Sequence, residues 1–432
     1  MRVALTIDFS PWSGYYGGAQ QSTHALACAL AARGHGVDVI YTKPPWERVA
    51  VPSGLPYAVR WAALPAWRSH RAAPLRPLSA WAVRRAVAAW LDEVGPAQRG
   101  GELPVVHTQG EEGALLAGLR PTRRFVWIAT PRHPRYPAAF RGGIPRRGGA
   151  AARAWLREGK YVGQGLALEG ADRVCPPSAY AGQLAVEAFG LDPARVEPVP
   201  NGVDPEFLAV ERAPLAADGP VVCFGRLEPD KAIPELLEAW SRLPRAGAAS
   251  GGLAAARPLV ILGRGSLEGL VRAAATRGDA DPGRPIELRP WTSRAALAQL
   301  LAQASLAVLP SHVESFGNAI AEALAAGTPV LSAAAAAIPE LVRDGETGVL
   351  VPPGDAAALG RALEELLADP GRRERLGAAG RAWAREHLAW SHTAARFEAI
   401  YLRAAEDEQR GSAGEAGAAA AGRRGPGSAR PC

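Results

Sequence analysis

The sequence predicts an α/β protein made of two doubly wound, Rossmann-like domains in tandem, facing each other across a cleft. Three observations predict it. The chain has 432 residues, more than one ordinary core accommodates, so two domains are expected. Short apolar runs alternate with alanine-rich helical stretches along its length, the rhythm of βαβ units. A polar, proline-flanked stretch from Asn201 to Pro220 then divides that alternation into two series.

In the first series, Val3 to Ile7 reads as a strand, Gln20 to Arg33 as a helix closed by Gly34, and Val37 to Tyr41 as a second strand. Further strands are expected at Pro104–His107, Phe125–Ile128, Arg173–Cys175 and Val196–Pro198. The second series runs through Val221–Phe224, Leu259–Leu262, Ile286–Leu288, Leu306–Leu309, Val330–Leu331 and Val349–Val351. The expected partition is residues 1–200 as the first domain, 201–220 as linker and 221–382 as the second domain. A C-terminal helix over 383–404 follows, with Trp383, Trp390 and Phe397 at seven-residue spacing and Tyr401 beyond them as a packing stripe. The Gly/Ala/Arg-rich tail 405–432 lacks periodicity and is expected to be disordered.

Composition narrows the class. Hydrophobic residues make up 48% of the chain, enough for two cores, yet no apolar run approaches the roughly 18 residues a membrane span needs. The N-terminal run is broken at Asp8 and has no signal-peptide core, so a cytoplasmic location is expected. Cys28, Cys175, Cys223 and Cys432 stand far apart without metal-ligand spacing. Residues 60–160 hold 18 Arg/Lys against 6 Asp/Glu, an excess of +12 that calls for an anionic partner. No nucleic-acid module accompanies the excess. The segment Trp67 to Trp90 mixes apolar and cationic residues, which fits either an ordinary surface helix or one lying on an anionic membrane surface at the inner face.

The chemistry concentrates at Glu314-Ser-Phe-Gly-Asn-Ala-Ile-Ala-Glu322. The strand Leu306–Leu309 enters a glycine-containing turn that opens a helix near Gly317 or Asn318, so Phe316, Gly317, Asn318 and Ala319 offer backbone N–H groups to an anion. Helical side chains lean toward the N-terminus, so Glu322 can reach back to that anion's neighbourhood, and Glu314 faces it from the loop. One anion with two acceptor carboxylates suits a nucleotide that carries a sugar. Gly17 and Gly18, between the first strand and first helix, allow close backbone approach to such a ligand.

The Glu-x7-Glu pair, the following Ala-Gly-Thr-Pro-Val330, Pro339-Glu340 and Gly-Val-Leu-Val-Pro-Pro353 together resemble the family-4 retaining glycosyltransferases of the GT-B fold. Other segments match in the same order: Gly17-Gly18, Leu30-Ala-Ala-Arg-Gly-His-Gly-Val37, Asn201-Gly-Val-Asp204, Phe224-Gly-Arg-Leu-Glu-Pro-Asp-Lys231 and Gly263-Arg-Gly265. The resemblance implies transfer of a sugar, with retention, from a nucleotide-diphosphate-sugar donor to a glycan, lipid-linked or small-molecule acceptor. It implies that Arg226 and Lys231 hold the donor diphosphate, Glu314 the sugar hydroxyls and Glu322 the ribose diol. It also implies that the C-terminal helix crosses back onto the first domain, and that no cofactor is required, the nucleotide sugar being a substrate. His133 is carried as the histidine that many members place near the donor sugar, with His107 as the other possibility.

Two departures stand out: Ala232 and the pair Ala336-Ala337 occupy places where the family usually has glycine, and the pair is expected to affect donor choice. Gly263-Arg-Gly-Ser-Leu-Glu-Gly269 with Glu287 also allows a dinucleotide reading, although its last glycine falls one place late. Asp279-Ala-Asp281 sits in a Gly/Arg/Pro loop, and no required metal is expected. A sugar-nucleotide epimerase of the same fold and a non-catalytic nucleotide-sugar-binding protein remain as alternatives.

Overall fold

The computed structural model describes the chain except for residues 14–16, 44–45, 65–75, 96–101, 132, 134, 138–139, 141–147, 213–218, 245–256, 280–284 and 423–432. Its first half contains strands β1 (Arg2–Ile7), β2 (Gly36–Lys43), β3 (Ala58–Ala63), β4 (Val105–Thr108), β5 (Val126–Ala129) and β6 (Arg173–Val174). The second half contains β7 (Val221–Arg226), β8 (Leu259–Arg264), β9 (Ile286–Arg289), β10 (Leu306–Leu309), β11 (Val330–Ala333) and β12 (Val349–Val351). They form two six-stranded sheets, ordered β3-β2-β1-β4-β5-β6 and β12-β11-β10-β7-β8-β9, and the paired strands run parallel. Both orders are the doubly wound arrangement, with a crevice where the winding reverses, between β1 and β4 and between β7 and β10.

Helices cover both faces, which is why the strands read as continuous apolar runs rather than alternating ones. Val3, Leu5 and Ile7 of β1 face one first-domain core, while Ala4 faces the other with Trp90 and Trp127. The second domain has a larger single cluster running from Val203 to Leu388.

Two strand expectations change. β3 was not foreseen: it is an edge strand whose residues are mostly half-buried or exposed, so it lacks the apolar run that marks the central strands. Conversely, Val196–Pro198 forms no strand. Val196 makes an isolated bridge to Val174, and Pro198 has no N–H with which to extend a ladder.

The C-terminal stripe is divided between two helices. Trp383 lies in the helix Pro370–His387 and packs on the second-domain core. The chain then turns through Leu388 and Ala389, and Trp390, Phe397 and Tyr401 of the helix Trp390–Gly422 enter the first-domain core. Gly202 makes the turn possible, since a Cβ there would lie 2.5 Å from the Trp390 ring. This helix continues past residue 405 to Gly422, into the stretch expected to be disordered, and residues 423–432 of that stretch lie outside the described residues. Arg410 pairs with Asp407 and Glu406 at helical spacing, and Asp407 pairs with Arg173 of the first domain.

Within Trp67 to Trp90, the described part belongs to the helix Arg76–Val94. Val83, Val87, Trp90, Leu91 and Val94 are buried, and the Trp90 indole N–H donates to Asp38 Oδ2 at 3.0 Å. Trp90 is therefore a core residue. Trp81, with the Arg85 guanidinium 4.8 Å from its ring, is on the exposed side. Several cations of the basic stretch are paired: Arg60 with Asp38 and Glu93, Arg120 with Asp172, and Arg123 with Asp92. Arg68, Arg71, Arg99, Arg132, Arg141, Arg146 and Arg147 lie outside the described residues.

Ala232 and Ala336 both adopt left-handed backbone, at φ 52 and 53. A methyl there costs roughly 1–2 kcal/mol in the folded chain, and glycine avoids it at a smaller unfolded-state entropy cost. Ala336→Gly is therefore expected to stabilise the protein by about 0.5–1 kcal/mol in thermal or urea denaturation. A destabilised variant would show that the Ala336 methyl packs usefully.

Candidate functional site

The loops after β7, β10 and β11 gather at the carboxyl end of the second sheet, where doubly wound sheets hold ligands. β7 ends at Arg226, and a single 3-10 turn, Pro229–Lys231, then brings Lys231 back toward β10. Lys231 Nζ donates to Glu314 Oε1 at 2.6 Å, and Ser311 Oγ donates to the same oxygen at 2.9 Å. The pair is only 19% and 17% exposed, so solvent screens it less than a surface ion pair. Arg226 is 66% exposed, lies 3.1 Å from Asp230, and stands beside Arg264 in the β7–β8 register. Ala337 N–H donates to the Glu314 carbonyl at 3.3 Å, tying the β11 loop to the same place.

The helix Asn318–Ala325 begins where the sequence indicated. Gly317 precedes it at φ 105, a conformation that favours glycine and turns the chain sharply into the helix. The Phe316 ring is buried in the second-domain core, so it fastens the loop and offers a ligand only its backbone. Ala319 is half-buried against that core.

Glu322, one turn further along, is 7% exposed. Its Oε1 accepts from Arg294 Nη2 at 2.8 Å, and Arg294 Nε donates to Asp204 Oδ2 at 2.8 Å. Burial pushes the Glu322 carboxyl up to about 7, against the opposing effect of Arg294 and with a small further push from Asp204. The folded chain thus holds this proton to higher pH than the unfolded chain does. The stability it contributes is complete below the ordinary value of 4.5 and is lost as pH rises through about 7.

Four contacts from the first half meet these loops. Gly18 opens the helix Gly18–Ala32, and a Cβ there would lie 2.8 Å from Asn318 Nδ2, so the missing side chain is what admits the approach. Asn201 Nδ2 donates to Asn318 Oδ1 at 3.1 Å. Ser178 Oγ caps the helix Ala179–Phe189 and donates to the Ser315 carbonyl at 2.6 Å. The Glu340 carboxylate accepts from Ala179 N–H and Tyr180 N–H, each at 2.8 Å, and so complements that helix's positive end. Gly18 therefore meets Asn318 across the two halves, with Gly17 and Gly317 next to them in the chain, while Lys231 pairs with Glu314 and Arg226 ends β7 on the second-half loops.

His133 is placed differently. Its ring lies edge-on to Tyr136 and Tyr161, with Nε2 3.9 Å from Glu111, all first-domain residues. His107 is fully buried, bonded to Tyr401 and Thr130 at 2.8 Å each and packed on Phe397, a packing role that removes it as a ligand contact. Gly263 and Gly265 serve backbone packing: a Cβ on them would lie 1.9 Å from Gly225 O and 2.3 Å from Leu227 O. Glu287 pairs with Arg289 on the same strand. Asp279 ends the helix Glu268–Asp279, and Asp281 lies outside the described residues. Among the described residues, no group of three or more His, Cys, Asp or Glu is arranged to hold a metal ion, and no helix is long and apolar enough to cross a membrane.

Arg294 escaped sequence reasoning, and Glu340, although part of the Pro339-Glu340 motif, gave no sign of its contact with the helix Ala179–Phe189. Arg294 reads simply as the first helical residue after the Ser293 cap, and its partners are 28 and 90 positions away, so no local spacing marks it.

Both halves of the chain are similar to known proteins. Residues 16–207 match the family described as Glycosyltransferase Family 4, and residues 213–383 match Glycosyl transferases group 1. A D-inositol 3-phosphate glycosyltransferase from Thermomonospora curvata is 34% identical over 277 residues, covering 59% of this chain and 62% of that protein. Its counterpart from Mycolicibacterium vanbaalenii is 36% identical over 272 residues, covering 58% and 57%. The matches thus span about three-fifths of the curated relatives' length. Sucrose-phosphate synthase from Thermosynechococcus elongatus superposes with a TM-score of 0.72 at 25% identity, covering 93% of this chain and 98% of that one. Anabaena HepE in complex with UDP superposes at 0.65 with 18% identity, covering 93% and 100%, a likeness of fold. These neighbours share the two-domain GT-B architecture, and with both halves matched in order, the chain belongs to the family-4, group 1 glycosyltransferases.

Proposed function

We propose that this chain transfers a sugar, with retention and without a required metal, from a nucleotide-diphosphate sugar to an acceptor held by the first domain. One observation carries the reading: Asn318, which opens the helix that follows the Lys231–Glu314 pair, meets Gly18 of the opposite domain. Breaking the bond between the anomeric carbon and the donor diphosphate leaves growing negative charge on the diphosphate. Arg226, Lys231 and the helix N–H groups stabilise that charge in a partly shielded site, where such interactions are strongest. Glu314, held by Lys231 and Ser311, orients donor-sugar hydroxyls, and Glu322 accepts from the ribose diol. The acceptor oxygen bonds to the anomeric carbon as that carbon's bond to the diphosphate breaks, and the acceptor's proton passes to the departing diphosphate. His133, set among Tyr136, Tyr161 and Glu111 of the first domain, is assigned near the reacting sugar by the resemblance alone.

HepE structures holding UDP and UDP-glucose support a UDP-sugar as the first donor to try. Relatives named for inositol 3-phosphate, and a neighbour named for sucrose phosphate, support a phosphate-bearing polyol or sugar as acceptor. The basic excess of residues 60–160 suits such an anion, or an anionic membrane surface.

Thermal shift across UDP-, GDP- and ADP-sugars, followed by mass spectrometry of the best donor with inositol phosphates and hexose phosphates, tests this. The expected outcome is a raised melting midpoint with one nucleotide class, slow donor hydrolysis, and a transferred-sugar product. A sugar nucleotide converted without loss of its sugar would instead identify an epimerase, and binding without turnover a carrier.

A further inference from the structure

We infer that Arg294 is a positioning residue for Glu322: it anchors one carboxylate oxygen so that the other is presented to the nucleotide ribose. The inference rests on the reading of Glu322 as the ribose acceptor.

Arg294 is fixed on three sides. Its Nη2 meets Glu322 Oε1 at 2.8 Å, its Nε meets Asp204 Oδ2 at 2.8 Å, and its guanidinium lies 4.7 Å from the centre of the Phe207 ring. A planar fork held this way is already ordered, and little freedom is lost when it directs a partner. Glu322 Oε2 makes no hydrogen bond among the described residues, and the side chain as a whole is 9% exposed. One oxygen is therefore committed and the other available.

The charge state decides what the available oxygen can do. A ribose diol brings two O–H donors, and an ionised carboxylate accepts both, whereas a protonated one offers an O–H where an acceptor is needed. Burial favours the protonated form. Arg294 is the cation that opposes it, and Asp204 is the other charged group acting on Glu322. The rest of the helix Asn318–Ala325 carries no charged residue. From the first domain, His24 and Cys28 stand in the field of Asp204. Because Asp204 belongs to the turn at the domain junction, Arg294 also links the ribose carboxylate to that junction.

Isothermal titration with UDP, GDP and ADP between about pH 6 and about pH 9 tests the assignment, with pyrophosphate as a ligand that lacks ribose. The tightest of the three nucleotides is carried into the variants. In the wild type, affinity should strengthen as pH rises through about 7. Glu322→Gln should bind more weakly, and its profile should show only the nucleotide's own titration. Arg294→Met should move the Glu322-dependent midpoint up by more than about one pH unit and weaken binding roughly tenfold near neutral pH. Pyrophosphate affinity should not change. Arg294→Lys should restore part of the shift. If Arg294→Met does not fold, Arg294→Gln compared with Arg294→Lys carries the same contrast.

The outcomes separate cleanly. Failure of all three nucleotides to bind removes the donor-site reading. Wild-type affinity in Glu322→Gln removes the ribose assignment. Weak binding in Glu322→Gln with an unmoved midpoint in the neutral Arg294 variants overturns the role of Arg294 alone, as would equal loss of pyrophosphate binding.

Discussion

Lys231→Met is expected to lower turnover by about 10²-fold, equivalent to about 2.7 kcal/mol of transition-state stabilisation. The charge on the departing diphosphate is greatest at the transition state, so the loss should appear mainly in kcat, with a smaller change in donor KM. Methionine keeps the length of the stem and removes the ammonium that bonds Glu314 at 2.6 Å. Glu314 still accepts from Ser311, so the carboxylate is not left bare and the fold should survive. Stability should fall by no more than about 1 kcal/mol, as for other partly exposed pairs. Lys231→Arg should recover little, because a planar fork does not reproduce a compact ammonium at the end of a 3-10 turn. Steady-state kinetics on the donor found by the thermal-shift screen checks this, and turnover within about threefold of wild type would remove Lys231 from the leaving-group role.

Gly265→Ala is expected to destabilise the protein by about 2–4 kcal/mol, or roughly 5–10 °C in melting midpoint. Its added Cβ would lie 2.3, 2.6 and 2.8 Å from the O, C and N of Leu227. Those are backbone atoms and cannot swing aside. Leu227 also donates to the Arg264 carbonyl at 2.9 Å and accepts from Leu267 N–H at 2.9 Å, so displacing it breaks the hydrogen bonds that join the β7 and β8 loops. Arg226 immediately precedes Leu227, and diphosphate affinity should fall along with stability. Thermal denaturation with pyrophosphate titration measures both, and an unchanged midpoint would contradict the close backbone approach. The same result bears on the dinucleotide reading of Gly263-Arg-Gly265, since it assigns these glycines to packing between two loops of one sheet.

Much of the fold was legible because parallel strands buried on both faces must be apolar throughout. β1, β2, β7, β8 and β10 announce themselves in that way. β3 did not, since an edge strand satisfies fewer neighbours and carries mixed residues. The helix boundary between Trp383 and Trp390 was also hidden, because helical spacing continued across a break that is set by Gly202 and by the Val203–Leu388 hydrogen bond. The alanines at 232 and 336 were visible as departures, but their left-handed backbone was not.

The sequence by itself determined the α/β class, the division into two doubly wound halves, and the turn that opens a helix between Glu314 and Glu322. These follow from local periodicity and from glycine at points where the chain bends. The tertiary structure decided the partnerships: Lys231 with Glu314, Arg294 with Glu322 and Asp204, Glu340 with the helix Ala179–Phe189, and Gly18 against Asn318. The physical reason is range. Periodicity reports which face of an element is buried, whereas a charge's partner depends on which distant loops two folded sheets bring within about 3 Å of it.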